Sequence, residues 1–572
     1  MLDVVRHKFL NLSAADDLQW PLITPNGSPL PPQPKPKQPK RFSHSILSDS
    51  EDDEPLDDVD LKAYWASIAK RYEGHRFDVA NLSVSQADQL PPHWTVVNVS
   101  VTEDRHTMFV TRQRAGRRPL IFCLPLKGRR EGQEDEHLTY EDAVKELQEI
   151  IRLSDEGTRQ AAEVKKDDRG ARMAWWKTRT ELDTRLRDLL TDIEFCWLGA
   201  FKTIFTPTPD VAPEDLAALR TRLDAVFKGS LVFQEKKPKS RIGLDDGLLE
   251  CFSTLPPNCR DEELEDLVYF ILDLYQFHGI PVAISEVDMD QVVVELRNAL
   301  EEHAARVKGR VTDEVDDSHI FLVLDKNVQG IPWESLPVLR GRSVSRIPSI
   351  DFLLDRVEFS HWRKWEDGRP QEGLVDRASV DPRRTYFVLN PSGDLKGTEG
   401  RFADWLQDMK GVGWDGVVGR APSEQQFVDA LTNRDLMIYF GHGGAEQYIR
   451  SHKIRHLPRC AATMLWGCSS GVLKYMGDFD RTGTPYHYML AGCPTLIANL
   501  WDVTDRDIDK FSQSVFDDLR LNADDVRRWC ADAGSGSGRT SVVRAVAQAR
   551  DSCKLKYLTG AAPVVYGIPF YL

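Results

Sequence analysis

Three short runs rich in β-branched and aromatic residues, WTVVNVSV at 94–101, TMFVTRQ at 107–113 and PLIFCLPL at 119–126, are separated by turn chemistry. They predict a small antiparallel sheet. The period then changes. Ala143, Val144, Leu147, Ile150 and Ile151, and further on Leu182, Leu186, Leu189, Ile193 and Trp197, recur at helical spacing. Residues 138–306 therefore predict a helical layer or insertion. A buried-strand run, HIFLVL at 319–324, leads into a stretch at 325–349 dense in proline, glycine and tryptophan, which something must hold down. From 383 a new alternation begins: strand RRTYFVLNP, helix GRFADWLQDMK, turn GVGWDG, helix SEQQFVDALTN, then strands LMIYF and ATMLW. Helix PYHYMLAGC, strand PTLIANLW and helix DRDIDKFSQSVFDDL follow, and VVYGIPFYL can close the sheet. Strands alternating with helices imply an α/β fold, a mostly parallel sheet covered on both faces.

A chain of 572 residues is too long for one ordinary core. The pattern divides it into residues 1–60, 61–382 with the small sheet and the helical layer, and 383–572 with the α/β alternation. Residues 24–60 run from proline-rich through basic to acidic with few large apolar side chains, so they cannot bury enough surface to fold and read as a disordered linker. AGSGSG at 533–538 reads as a flexible loop. The net charge of −15 and pI near 5.5 argue against general nucleic-acid or anionic-membrane binding. No run approaches the ~18–20 apolar residues that span a bilayer. Nine cysteines, scattered and without paired CxxC spacing, suit free thiols in a reducing, intracellular compartment. Any cysteine with a special role owes it to its surroundings.

The chemistry concentrates in two turns. LMIYF runs into Gly441-His442-Gly443-Gly444, and ATMLW runs into Gly467-Cys468-Ser469-Ser470-Gly471. Loops at the carboxyl ends of parallel strands face a common crevice, so if these strands are neighbours His442 meets Cys468. The imidazole can then take the thiol proton or hold a preformed thiolate. Gly443 and Gly444 let a substrate backbone approach, and the N–H groups of Gly443 and Cys468 are assigned as the oxyanion hole. The reaction class is acyl transfer through a thioester. Either turn alone suits simple packing; both together, in the order His then Cys, point to a dyad. No third, orienting acid is evident. His452, His456 and Cys460 fall at i, i+4 and i+8, a competing metal site, but Pro458 interrupts the helix and no fourth ligand stands out. No metal and no cofactor is expected.

YFGHGGAEQYI with LWGCSSG resembles the His and Cys boxes of the separases, caspase-fold cysteine proteases. GIPWESLPVLRGRSVSRIPS at 330–349 is similar to the signature that precedes the family's protease domain, and ANLWDVTDRDIDKF at 498–511 to the acidic segment after the next strand. The resemblance covers about 319–572. It implies a caspase-like protease domain at 383–572, its mostly parallel sheet flanked by helices. Ahead of it, at 61–382, it implies a substrate-binding pseudo-protease domain carrying the helical insertion at about 138–306. The implied activity is a cysteine endopeptidase cutting after arginine in sites of the form Ser or acid, x, Glu, x, x, Arg. The implied substrate is the kleisin subunit of cohesin, cut at anaphase, and the implied inhibitor is securin, an inhibitory chaperone lying along the cleft. Cytoplasm and nucleus follow as locations, with no membrane partner. The long helical-repeat region such enzymes carry on the amino side is missing, so the chain reads as a fragment.

Cutting after arginine demands a buried carboxylate, because the guanidinium fork pairs with it through two parallel bonds. The acidic segment offers Asp502, Asp505, Asp507 and Asp509. With Thr504 as N-cap and Asp507 reaching back to it, Asp505 and Asp509 share one helix face, and Asp509, then Asp505, are assigned to the pocket. Ser154-Asp155-Glu156-Gly157-Thr158-Arg159 fits the family's target pattern, so self-cleavage after Arg159 is expected in an exposed loop. Two other readings stay open: a catalytically silent caspase-like binding module for securin or a scaffold, and a clostripain-like arginine-specific protease.

Overall fold

The computed structural model describes residues 86–126, 138–160, 169–206, 211–230, 244–278, 282–308, 318–357, 378–528 and 540–572. The N-terminal segment and linker at 1–60 and the loop at 533–538 lie outside the described residues. All the described residues fall within one compact unit, Ala80–Leu572.

The first three strands, β1 (Trp94–Val101), β2 (Thr107–Arg114) and β3 (Leu120–Pro125), pair antiparallel in sequence order. Every second residue of β3 is buried, the alternation of a sheet with one wet face. The helical layer follows, with α1 (Tyr140–Gln160), α2 (Arg169–Ile193), α3 (Pro213–Ser230), α4 (Asp261–Phe277) and α5 (Met289–Lys308). Its apolar stripes are core: Leu147, Ile150, Leu186, Ile193 and Trp197 are all at most 5% exposed.

β4 (His319–Leu324) and β5 (Val344–Arg346) lie parallel beside β1. The stretch between them is held from below by Arg346, which is buried and donates to the carbonyls of Gln329 (2.6 Å) and Ile331 (2.8 Å) and to both oxygens of Glu334 (2.7 and 2.8 Å). Trp333, fully buried, donates its Nε1–H to the Val328 carbonyl at 3.0 Å.

After the short β6 (Ala378–Ser379) the α/β alternation runs as the sequence implies: β7 (Thr385–Leu389), α6 (Lys396–Lys410), α7 (Glu424–Asn433), β9 (Leu436–Phe440), β10 (Ala462–Leu465), α8 (Thr484–Leu490), β13 (Thr495–Asn499) and α9 (Asp505–Asp518). The expected turn at 411–416 instead opens strand β8 (Asp415–Val418), an edge strand on β7. Further unexpected pieces are a separate hairpin, β11 (Lys474–Met476) with β12 (Phe479–Thr482), and β15 (Phe570–Tyr571) on β6. α10 (Val542–Ala549) precedes β14 (Pro563–Gly567).

One eleven-stranded sheet results, in the order β3-β2-β1-β4-β5-β14-β13-β10-β9-β7-β8. Strand β14 stands at its centre, parallel to β5 and antiparallel to β13. Strands from before residue 382 fill one side of the sheet and strands from after 383 the other, and the pairing of β14 with β5 joins the two sides. Strands β7, β9, β10 and β13 are parallel to one another. Along them Phe387, Ile438 and Met464 point to one helical layer and Val388, Met437 and Leu465 to the other, the pattern of a sheet covered on both faces.

Candidate active site

β9 and β10 are parallel neighbours with Leu465 opposite Tyr439, so their carboxyl-end turns lie side by side. Gly467 shows how closely: a Cβ there would stand 2.1 Å from the Gly443 carbonyl oxygen and 2.5 Å from that of Gly441. Only glycine fits. Gly443 adopts φ +63°, and Tyr439 Oη and Gln447 Nε2 donate to the His442 carbonyl at 2.9 and 3.3 Å. These bonds shape the histidine turn. In the cysteine turn, buried Asn499 donates Nδ2 to the Gly467 carbonyl (2.9 Å) and its N–H to Ser470 Oγ (3.0 Å). Ser469, at φ +53°, donates its N–H to the Trp501 carbonyl (3.2 Å) and its hydroxyl to Asp502 (2.6 Å). Among the described residues the N–H groups of Gly443 and Cys468 engage no other group.

His442 and Cys468 line one narrow cleft of ≈ 30 Å³ together with Thr398, Trp466, Asp505 and Asp509. The His442 ring is half-exposed, and its Nε2 lies 2.9 Å from Asp394 Oδ2. This hydrogen bond holds the Asp394 carboxyl below its ordinary range. Asp394 is a carboxylate partner of His442 that the sequence reading did not find. It follows β7, the strand beside β9, so the rule that singled out the two turns also applies to it once the strand order is known.

The Cys468 thiol donates to the Val503 carbonyl at 3.5 Å. Burial, then the carboxylates of Asp502, Asp505 and Asp155, push it up to about 11. These surroundings favour the neutral thiol over the thiolate.

Asp509 is 5% exposed and receives the Thr398 hydroxyl between its two oxygens at 3.1 and 3.0 Å. Its nearest cation is Arg401, 3.9 Å away. Burial and the nearby Asp505 push its carboxyl up to about 6. Asp505 stands at the cleft mouth with an accessible outer side, and the protein packed behind it raises its carboxyl too. Two carboxylates one helical turn apart thus line the cleft, with Arg401 3.9 Å from the inner one.

Other expectations fare differently. Thr504 is the N-cap of α9 but forms no side-chain cap bond; Asp507 is turned instead to the backbone N–H groups of Lys554 (3.1 Å) and Leu555 (2.9 Å). A tertiary contact has displaced the local one. Arg159 is exposed, yet it sits in the last turn of α1 and not in a loop. Ser154, at the other end of that pattern, is buried and accepts Arg179 Nη1 on both its Oγ and its carbonyl at 2.7 Å. His456 Nδ1 meets the His452 carbonyl at 2.6 Å, and no cluster of three metal-competent side chains occurs among the described residues.

The profile of the family described as separin, protease domain, matches residues 103–508. The chain belongs to the separin, or separase, family. It is 39% identical over 489 residues to the separin of Emericella nidulans, covering 84% of this chain and 23% of that protein. Against the separin of Schizosaccharomyces pombe it is 38% identical over 501 residues, 86% of this chain and 26% of that protein. Its fold matches the separase of Saccharomyces cerevisiae in the crystal structure of a separase–securin complex, with TM-score 0.71, 31% identity, and coverage of 85% of this chain and 31% of that one. The chain spans about a quarter of the length of the curated relatives it matches. The family match extends well ahead of 319, over the half in which the sequence offered no motif.

Proposed function

We propose that this chain is the catalytic region of an arginine-specific cysteine endopeptidase. The observation that carries the reading is the contact of the two glycine turns at Gly467, beside a cleft floored by a buried carboxylate that the nearest cation, Arg401, approaches only to 3.9 Å. The substrate arginine enters that cleft and pairs with Asp509 and Asp505. Its carbonyl then lies over Cys468, with the oxygen toward the N–H groups of Gly443 and Cys468. With Nε2–H donated to Asp394, the His442 base is Nδ1. It takes the thiol proton as Sγ bonds to the carbonyl carbon, then gives that proton to the amine as the C–N bond breaks. The thioester is hydrolysed by a water that loses a proton to the same nitrogen as its oxygen bonds to the carbonyl carbon, and that proton returns to Sγ as the C–S bond breaks. Oxyanion stabilisation by one such donor is worth about 3 kcal/mol.

The substrate class we propose is the acid-or-Ser, x, Glu, x, x, Arg site of a cohesin kleisin, cut in nucleus and cytoplasm at anaphase, with a securin as the inhibitor that occupies the cleft. The yeast relative solved with securin supports the second partner. Self-cleavage after Arg159 would first require the last turns of α1 to unwind, since a protease cleft takes an extended chain. The test is fluorophore release from two peptides, one ending Glu-x-x-Arg and one with that arginine changed to glutamate, by wild type and Cys468→Ser. Cleavage of the arginine peptide by wild type alone is expected. Cleavage by Cys468→Ser, or of both peptides alike, would refute the reading.

A further inference from the structure

We propose that Asp183, on α2 of the helical layer, is a positioning residue for the turn that carries Cys468. The inference rests on Cys468 being the nucleophile. The loop ahead of β14 is gripped by two carboxylates. Asp507 takes the N–H groups of Lys554 and Leu555, while a single oxygen of Asp183, Oδ1, accepts those of Tyr557 (2.9 Å) and Leu558 (2.7 Å). The Leu558 carbonyl, fixed in this way, accepts the Trp501 indole N–H at 2.7 Å. The Trp501 carbonyl in turn accepts the Ser469 N–H at 3.2 Å. Leu558 and Trp501 are 1% and 2% exposed, so each lost bond leaves a buried polar group unpaired. Ser469 occupies the left-handed region, φ +53°, a conformation that a residue with a side chain keeps only where its surroundings over-determine it.

Three links thus run from a helix far away in sequence to the residue that follows the nucleophile. Asp183 does not line the cleft, so it acts through Trp501 and Ser469, setting where the Cys468 N–H and Sγ point. The helical layer is then part of the catalytic apparatus, whatever else binds on it.

The experiment compares wild type, Asp183→Asn and Asp183→Ala on the arginine peptide, together with iodoacetamide labelling read cysteine by cysteine by mass spectrometry. Asparagine keeps an Oδ1 acceptor and should stay within about threefold of wild type. Alanine should lower kcat about 10- to 100-fold, the scale of a small misplacement of a catalytic group, with KM within about twofold. Labelling of Cys468 should rise several-fold while Cys493, buried at the base of the sheet, stays protected. Trp501→Phe, which keeps the bulk and removes the N–H, should repeat the kcat loss if the alanine variant does not fold. Equal kcat in folded wild type and alanine variant, equal losses in asparagine and alanine variants, or labelling of Cys493 alongside Cys468 would each overturn the proposal. If wild type cleaves no arginine peptide, the proposed function fails, and the labelling contrast alone decides the role of Asp183.

Discussion

Asp509→Asn should make the protein more stable and a worse arginine-specific protease. The carboxyl is buried and pushed up to about 6 from an ordinary 3.8. Its folded-state value lies above its unfolded one, so its contribution to stability is full below about pH 3.8 and is lost as pH rises through about 6. At pH 7 the ionised group therefore opposes folding. At 1.36 kcal/mol per pH unit the gap corresponds to about 3 kcal/mol as an upper bound. Asparagine keeps an oxygen for the Thr398 hydroxyl and removes only the charge. Urea unfolding followed by tryptophan fluorescence should find the variant more stable by up to that amount at pH 7, the difference vanishing below pH 4. Catalysis moves the other way. Truncating one side of a buried, hydrogen-bonded charge pair costs at least about 2 kcal/mol, or about 30-fold in kcat/KM for arginine peptides. Wild-type kcat/KM should also fall as pH drops below about 6, because the incoming guanidinium needs an ionised carboxylate, and the variant should lose that limb of the profile. A variant less stable at pH 7, or one with undiminished preference for arginine, would refute the assignment of the pocket floor.

His442→Ala should lower kcat by a factor of about 100 or more with little change in KM, whereas Asp394→Asn, altering an exposed orienting partner, should cost about tenfold; steady-state kinetics on the arginine peptide check both. Gly467→Ala forces a methyl against the Gly441 and Gly443 carbonyls, so activity should vanish and stability fall by about 1–3 kcal/mol, read by thermal unfolding beside the assay. Glu334→Gln leaves the Arg346 guanidinium buried without its counter-charge and should destabilise by about 3–5 kcal/mol in urea, with KM unchanged at temperatures where the variant is folded.

Much of the architecture is legible in the chain, and what is missed shares one cause. Strands such as LMIYF and PTLIANLW and the long stripes of α1 and α2 announce themselves because their periods are strong. The two glycine turns are legible because a ligand-facing loop at a strand end needs residues without side chains. Asp394 is not, because its relevance depends on β7 lying beside β9, and strand order is a tertiary fact. The same holds for Asp507, where a local capping pattern competes with two distant backbone donors and loses, and for Arg159, where a short cleavage pattern sits on a segment that continues the α1 helix through Ser154. The role of β14 follows suit, since nothing in PVVYG distinguishes a central strand from an edge strand.

Because β14 bridges β5 and β13, the order of synthesis constrains when activity can arise. Until residues 563–567 leave the ribosome, β5 and β13 each present an unpaired edge, and the loop that steadies Trp501 has not been made. A nascent chain already carrying His442 and Cys468 is therefore an incomplete fold with two open sheet edges, the kind of intermediate that pairs wrongly with its neighbours. If Cys468 is the nucleophile, translation itself delays the cut: the strand that completes its surroundings is made almost a hundred residues after it.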